Sequence, residues 1–367
     1  MSSGTAGSGG SGSGPPTIVS IAERAGVSIA SVSRVLNGLS ARRDTEERVR
    51  NAAAELGYVP NSVARSLKGG RTRQLTFAMP DIGNPVYVAM VREIQAVAKA
   101  AGYRLLLHST DAVTEDELAV VRSLAERTSD GLIICPIRIT PEHVEAIAQA
   151  TAPVVVIGSP PPDAQLDCVQ ADSVSGAEKA VRHLAETGRR RIAFINGPID
   201  TVPGRNRDEG YRKGLADHGI SYDPGLVAAA DFDVAAGAEA AHRLLDARPD
   251  LDAIFCANDQ LALGAAQTLH TRGMRVPEDV AVAGMDNTQL ARAAWPPLTS
   301  VDLGSSERGR IAAELLLQRL REREARPGDP AGDAAEDTSE TTIPAPRRTT
   351  AEPRLVVRES TVPARSV

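Results

Sequence analysis

The chain holds 367 residues, 42% of them apolar and only 3% aromatic, with a formal net charge of −6. That length suits two or three domains built around aliphatic cores. No apolar run is long enough to cross a bilayer, which argues against a membrane-spanning protein.

The opening MSSGTAGSGGSGSGPP has neither the basic start nor the apolar middle of a secretory signal. Residues 1–16 read as a flexible leader, and a cytoplasmic location is expected. Three short helical patterns follow within 17–60. Thr17 is placed to cap TIVSIAERAG, which Gly26 ends, and Ser28 to cap SIASVSRVLNG, which Gly38 ends. The third runs from about Asp44 to Leu56 and stops at Gly57. In the second pattern Val32, Val35 and Leu36 share one face, able to pack on Ile21, Ala22, Ala25 and Val27. Such a pair reads as a helix-turn-helix, whose second helix enters the DNA major groove. Its outward face offers Ile29, Ala30, Ser33, Arg34 and Asn37. Arg34 can donate a fork to guanine, Ile29 and Ala30 can touch thymine methyls, and Ser28 and Ser31 can hold phosphates. Charge agrees: residues 17–73 carry +5 and the remainder −11, a basic head on an acidic body.

PNSVARSLKGG, residues 60–70, is a further helical patch too short to be stable alone, and residues 61–73 are set apart as a linker. From Gln74 short apolar runs (LTFAMP, RLLLHST, GLIICP, PVVVIG) alternate with helical patterns. After the helix around Ser173–Thr187 the alternation begins again (RIAFING, AIFCAND, VAVAGMD). This predicts an α/β sensor of two doubly wound parallel-sheet subdomains behind a small all-α head. Residues 74–323 plus 353–361 are assigned to it. Residues 324–352, rich in Pro, Ala, Asp, Glu and Thr, read as a disordered or loop insertion, and PRLVVREST as a closing strand. Cys135, Cys168 and Cys256 lie far apart without metal-ligand spacing and read as small buried hydrophobes. Six scattered histidines, no nucleophile with a partnered base and no phosphate loop give no enzyme, metal or cofactor site.

Several ordered motifs carry a resemblance. GVSIASVSRVLNG, ELGYVPNSVARSLKGG, TFAMPDIGNPVY, GRNRDEGYRKGL, FCANDQLALGA, RVPEDVAVAGMDN and PPLTSVD together resemble the lactose-repressor/galactose-repressor (LacI/GalR-type) family of bacterial transcriptional regulators, with a periplasmic-binding-protein-like sensor. The resemblance spans about residues 17–323 and the last strand. It implies that PNSVARSLKGG is a hinge helix that folds on operator DNA, with Leu67 wedged into the minor groove and Asn61, Ala64 and Lys68 beside it. It also implies effector contacts from Asn84, Val86, Tyr87, Arg207, Phe232, Asn258 and Asp286. An arginine fork, neighbouring Asn and Asp groups and an aromatic ring suit a sugar; a nucleoside or nucleobase is the alternative. Asn258 or Asp259 could instead cap the next helix. Asp172 belongs either to the pocket or to the framework, and Trp295 either closes the cleft or packs. Two departures stand out: Ala41, Arg42, Thr45 and Glu46 replace the family's usual start of the third helix, leaving Ser40 or Asp44 as substitute caps, and Ser20 stands where Asp is usual.

The implied protein is a homodimer on palindromic operator DNA, a repressor released by a small-molecule effector. A member governed by a partner protein is a rival within the family. A sugar-binding transport receptor, the rival outside it, would have a secretion signal and no head.

Overall fold

The computed structural model describes residues 16–36, 39–58, 71–325 and 345–362. It falls into two compact units that divide between Gly70 and Arg71. Most of the leader, Asn37, the hinge candidates Asn61, Ala64, Leu67 and Lys68, and residues 326–344 lie outside the described residues.

The first unit holds α1 (Ile18–Ala25), α2 (Ile29–Leu36) and α3 (Arg43–Glu55). Thr17 caps α1 by accepting from the Ser20 N–H. Ser20 closes the box, its Oγ accepting the Thr17 N–H at 2.8 Å, so a short side chain does at this position what an acid does elsewhere. The helix ends at Gly26, whose φ of 62° suits a residue without Cβ. Arg48 from α3 then donates to the carbonyls of Ala25 and Gly26, tying the third helix to the turn. Ile21, Ala22, Ala25, Val32, Val35, Val49 and Ala52 form the core, each buried large side chain contributing about 1.5–3 kcal/mol. α3 has Arg42 at its N-cap position, with no side-chain hydrogen bond to close it. Neither Ser40 nor Asp44 substitutes; Asp44 contributes only its charge to the first turn.

The second unit contains two six-stranded sheets. In the first lobe β1 (Gln74–Met79), β2 (Arg104–Ser109), β3 (Gly131–Ile134), β4 (Val154–Ile157) and β5 (Cys168–Ala171) alternate with α4 (Pro85–Ala100), α5 (Thr114–Arg122) and α6 (Pro141–Ala148). The second lobe takes α7 (Ser173–Glu186), β6 (Ile192–Asn196), α8 (Val202–Ala216), β7 (Val227–Ala229), α9 (Val234–Ala247), β8 (Ala253–Cys256), α10 (Asp259–Thr271), β9 (Ala281–Met285), α11 (Gln289–Ala293) and β10 (Thr299–Asp302). The chain then returns: α12 (Ser305–Glu324) packs on α4 in the first lobe. β11 (Arg348–Ala351) joins the first sheet and β12 (Arg354–Val356) the second. Strand orders are β11-β5-β4-β3-β1-β2 and β12-β10-β9-β8-β6-β7, every described pairing parallel except β10 with β12. Continuously buried strands such as Val154–Ile157 and Ala281–Met285 are what sheets covered on both faces require.

One sequence expectation is corrected here. Arg348–Ala351 fell in the segment read as loop, yet it pairs with β5 from Arg348↔Cys168 to Ala351↔Ala171. It is an edge strand of three polar residues, Thr349 and Thr350 exposed and Arg348 half-buried, before the buried Ala351, so it carries no apolar period. The lobes are joined by three crossings, at Asp172, at Leu303–Gly304 and at Glu352–Pro353. They run side by side: the Asp172 N–H donates to Ala351 O at 3.4 Å, and Gly304, with φ 68°, lies against Ala351.

Candidate functional site

In the head, α2 presents Ile29 at 46% exposure, with Ala30 and Arg34 also exposed and Ser33 half-buried. Ser28 Oγ accepts the Ser31 N–H at 3.2 Å, and the two hydroxyls lie 2.9 Å apart. Thr17, Ser28 and Ser31 therefore order the starts of the first two helices. Arg34 rests its Nη2 on Ser40 O at 3.3 Å, an exposed contact that a base edge can replace. The arrangement is a short apolar-and-polar face with one arginine, suited to groove contacts.

In the sensor, a cavity of about 410 Å³ lies between the two lobes. Its walls are built at the carboxyl ends of strands, where a parallel sheet exposes loops and helix starts. Asn84 follows β1 and caps α4, accepting from the Val86 N–H at 3.1 Å. Val86 and Tyr87 on the same turn are buried and line the first-lobe wall. Cys135 lies just past β3; burial pushes its thiol up to about 12, which disfavours the thiolate.

The second-lobe wall carries Arg207, Phe232, Asn258 and Asp286. Asn258 follows β8 and caps α10, accepting from the Leu261 N–H at 2.8 Å while its amide donates to Phe232 O at 3.3 Å. The tip of the Phe232 ring lies against Gly197, where a Cβ would stand 2.0 Å from Cζ. The Arg207 guanidinium sits 5.8 Å from the centre of that ring and 3.5 Å from Asp286 Oδ1. Burial raises the Asp286 carboxyl, and Arg207 and then Arg308 oppose the rise. At the mouth the lobes touch directly. The Val202 N–H donates to Ile137 O at 2.8 Å, and Arg138 grips Asp200 through bonds of 2.7 and 3.3 Å.

The description "Bacterial regulatory proteins, lacI family" matches residues 17–61, and "Periplasmic binding protein-like domain" matches 181–361. The HTH-type transcriptional regulator CelR of Thermobifida fusca is 36% identical over 353 residues, covering 94% of this chain and 98% of its own. The chain belongs to the LacI family of bacterial regulatory proteins. Catabolite control protein A of Priestia megaterium is 32% identical over 304 residues, 82% of this chain and 92% of its own. Two solved structures of the family agree in fold. A CelR–cellobiose complex superposes with a TM-score of 0.69 at 33% identity, covering 94% of this chain and 99% of that one. The lac repressor dimer bound to operator and an anti-inducer gives 0.80 at 26% identity, covering 95% and 99%. The resemblance, the two-part fold and the DNA-binding regulatory role read from the sequence all hold, and the curated relatives are transcriptional regulators rather than enzymes. No described helix is long and apolar enough to cross a membrane, and no group of three metal-ligating side chains occurs among the described residues.

The LacI-family cleft brings together seven of the nine residues singled out from sequence: Asn84, Val86, Tyr87, Arg207, Phe232, Asn258 and Asp286. It leaves out two. Asp172 sits at a lobe crossing and spends its carboxylate capping α7, accepting from the Ser175 N–H at 2.9 Å and its hydroxyl at 2.6 Å. Trp295 is 92% exposed and lines no part of the cavity. Two residues matter beyond these: Asp259, which the sequence offered only as a helix cap, and Arg308, which it did not single out. Asp259, directly behind Asn258, does not cap; it accepts from the Thr288 N–H and hydroxyl and from Ser300 Oγ, at 2.6, 2.9 and 2.6 Å. It thereby fixes the loop that carries Asp286. Arg308 lines the cavity from the first turns of α12. Its spacing to Ala312, Leu316 and Leu320 places it on the buried face of that helix, a signal the 3.6-residue period already contained.

Proposed function

We propose that this LacI-family regulator is a homodimeric repressor that reads a near-palindromic operator and is released from it by a sugar. The observation that carries the effector reading is the shared wall of Arg207, Asp286, Asn258 and Phe232 around one interlobe cavity. It pairs a guanidinium fork and a carboxylate for hydroxyl groups with a ring for the apolar face of a pyranose. The structural relative solved with cellobiose supports the same class of ligand.

A sugar held by residues of both lobes favours the closed arrangement over the open one. Closure bends the three crossings near Asp172, Gly304 and Ala351 and is latched by Arg138 on Asp200 and Val202 on Ile137. Coupling to DNA then requires only that the sugar bind the two arrangements with different affinity. In the head, Arg34, Ile29, Ala30 and Ser33 meet base edges, while Thr17, Ser28 and Ser31 meet phosphates; the sequence pattern adds Asn37, and the family resemblance adds the hinge residues Asn61, Ala64, Leu67 and Lys68.

The test is fluorescence anisotropy of labelled operator with the full chain, titrated with mono- and disaccharides and, in parallel, purine bases and nucleosides. Release by a sugar supports the reading. Release by a purine replaces the ligand class, and indifference to every small molecule points to control by a partner protein.

A further inference from the structure

Helix α12 buries two arginines, and they are partnered very differently. Arg319, 9% exposed, grips Asp167 with a fork of 2.6 and 2.7 Å and reaches Glu322 at 3.0 Å. Arg308 is 8% exposed. Its one hydrogen bond among the described residues runs from Nη2 to the neutral Ser305 Oγ at 3.2 Å. Its Nε has no partner, and no described carboxylate lies within ion-pair distance. Arg207, on the opposite wall of the same cavity, also has an unpartnered Nε. A single buried carboxylate, Asp286, thus answers two buried guanidiniums, and it stands 3.5 Å from Arg207.

Four further carboxylates line the cavity, Asp81, Asp111, Asp231 and Asp233, and all are exposed at its mouth. Asp81 accepts the Gly83 N–H, Asp233 the Ala236 N–H and Asp111 the Ser109 hydroxyl. Water and salt screen them, whereas charges in the interior are screened much less. Taking a guanidinium out of water costs several kcal/mol, recovered only through an anion or a full set of acceptors. Burial lowers the Arg308 pKa, yet a guanidinium remains charged at physiological pH. Arg319 shows what this helix supplies when the partner comes from the protein itself.

We propose that Arg308 sets the specificity of the cleft, and that the ligand it selects is a sugar acid, an aldonate or uronate whose carboxylate completes the guanidinium's missing acceptors. This rests on reading the cleft as the sugar site. The planar fork of Arg308 matches a carboxylate in two parallel bonds, which leaves Asp286 and Asn258 for hydroxyls and Phe232 for the carbon face.

The experiment is calorimetric titration of the full chain with D-gluconate, D-glucuronate and D-galacturonate beside neutral D-glucose, D-galactose and cellobiose. It is run on wild type, Arg308→Gln and Arg308→Lys. At least one acid is expected to bind about tenfold or more tightly than its neutral counterpart, a preference lost in Arg308→Gln and partly kept in Arg308→Lys. The ligand-free melting temperature of Arg308→Gln should not fall, because an unpartnered buried charge has been removed, and this identifies a folded variant. Neutral sugars binding as tightly as the acids, acids failing to bind at about 10 mM, or acid affinity untouched by Arg308→Gln in folded protein would each overturn the proposal. Binding of a neutral sugar that Arg207→Lys weakens would keep the cleft as the sugar site and remove only the acid preference. Silence from every sugar would remove both.

Discussion

Replacing Arg207 with lysine isolates what the guanidinium fork does. Arg207 is 7% exposed, lies 3.5 Å from Asp286 Oδ1 and faces the Phe232 ring at 5.8 Å. Lysine keeps a positive charge for Asp286, so the buried carboxylate is not stranded, but it loses the planar set of donors. The Arg207–Asp286 contact is already at the long end of a hydrogen bond, so the unliganded fold should lose less than about 1 kcal/mol. One charge-assisted hydrogen bond to the sugar is worth about 1.5–3 kcal/mol, which is a loss of about 10- to 150-fold in effector affinity. Operator affinity without effector should not change, because the described partners of Arg207 all lie in the sensor. Calorimetry with the releasing sugar and anisotropy with labelled operator measure the two quantities on one preparation. An effector Kd within twofold of wild type would refute the role given to Arg207, and parallel loss of both affinities would mean a folding defect.

Gly197→Ala places a methyl group where the Phe232 ring now lies; effector affinity should fall about tenfold or more as the ring is displaced, and an unchanged Kd would show that Phe232 does not cover the ligand. Arg34→Ala should weaken operator binding by about 1–3 kcal/mol and relax base preference at a single position per half-site, as read by anisotropy on operator variants; a uniform loss across all sequences would make Arg34 a phosphate contact instead. Operator affinity should fall about 10³- to 10⁵-fold between 50 and 200 mM salt if a dimer neutralises six to ten phosphates; a flat salt response excludes phosphate-led binding. Burial, reinforced by Asp286 and opposed by Ser300 and Thr288, raises Asp259 to about 7 from 3.8. A carboxyl that holds its proton more tightly when folded contributes full stability below about pH 4 and loses it as pH rises through about 7, a change of about 4 kcal/mol. Melting curves from pH 5 to 8 should therefore slope downward in wild type and less so in Asp259→Asn; identical slopes would show that Asp259 is not the group responsible.

Local pattern alone determined a large part of this protein. The i, i+3, i+4 spacing of Val32, Val35 and Leu36, with Gly26 between two capped runs, was enough for the helix-turn-helix, because seven buried residues close in sequence make up that core. The alternation of short apolar runs with helical stretches was enough for two parallel sheets; the family resemblance pointed to Asn84, Asn258 and Asp286, which stand where ligand loops follow the carboxyl ends of strands. Tertiary structure alone decided the rest. Asp172 looks from sequence like another residue after a strand, but its strand ends at a lobe crossing, where the carboxylate is consumed by Ser175. Trp295 has the composition of a ligand-stacking residue and faces outward. Arg348–Ala351 becomes a strand only because β5, 180 positions earlier, presents an open edge. Arg308 acquires meaning only when α12 returns from the second lobe to the first and sets a guanidinium among Tyr87, Cys135 and Asp286. Helix and strand periods are carried by neighbours a few residues apart; the partner of a buried charge comes from another chain segment, 79 positions away for Arg207 and Asp286 and 152 for Arg319 and Asp167, which no local period records.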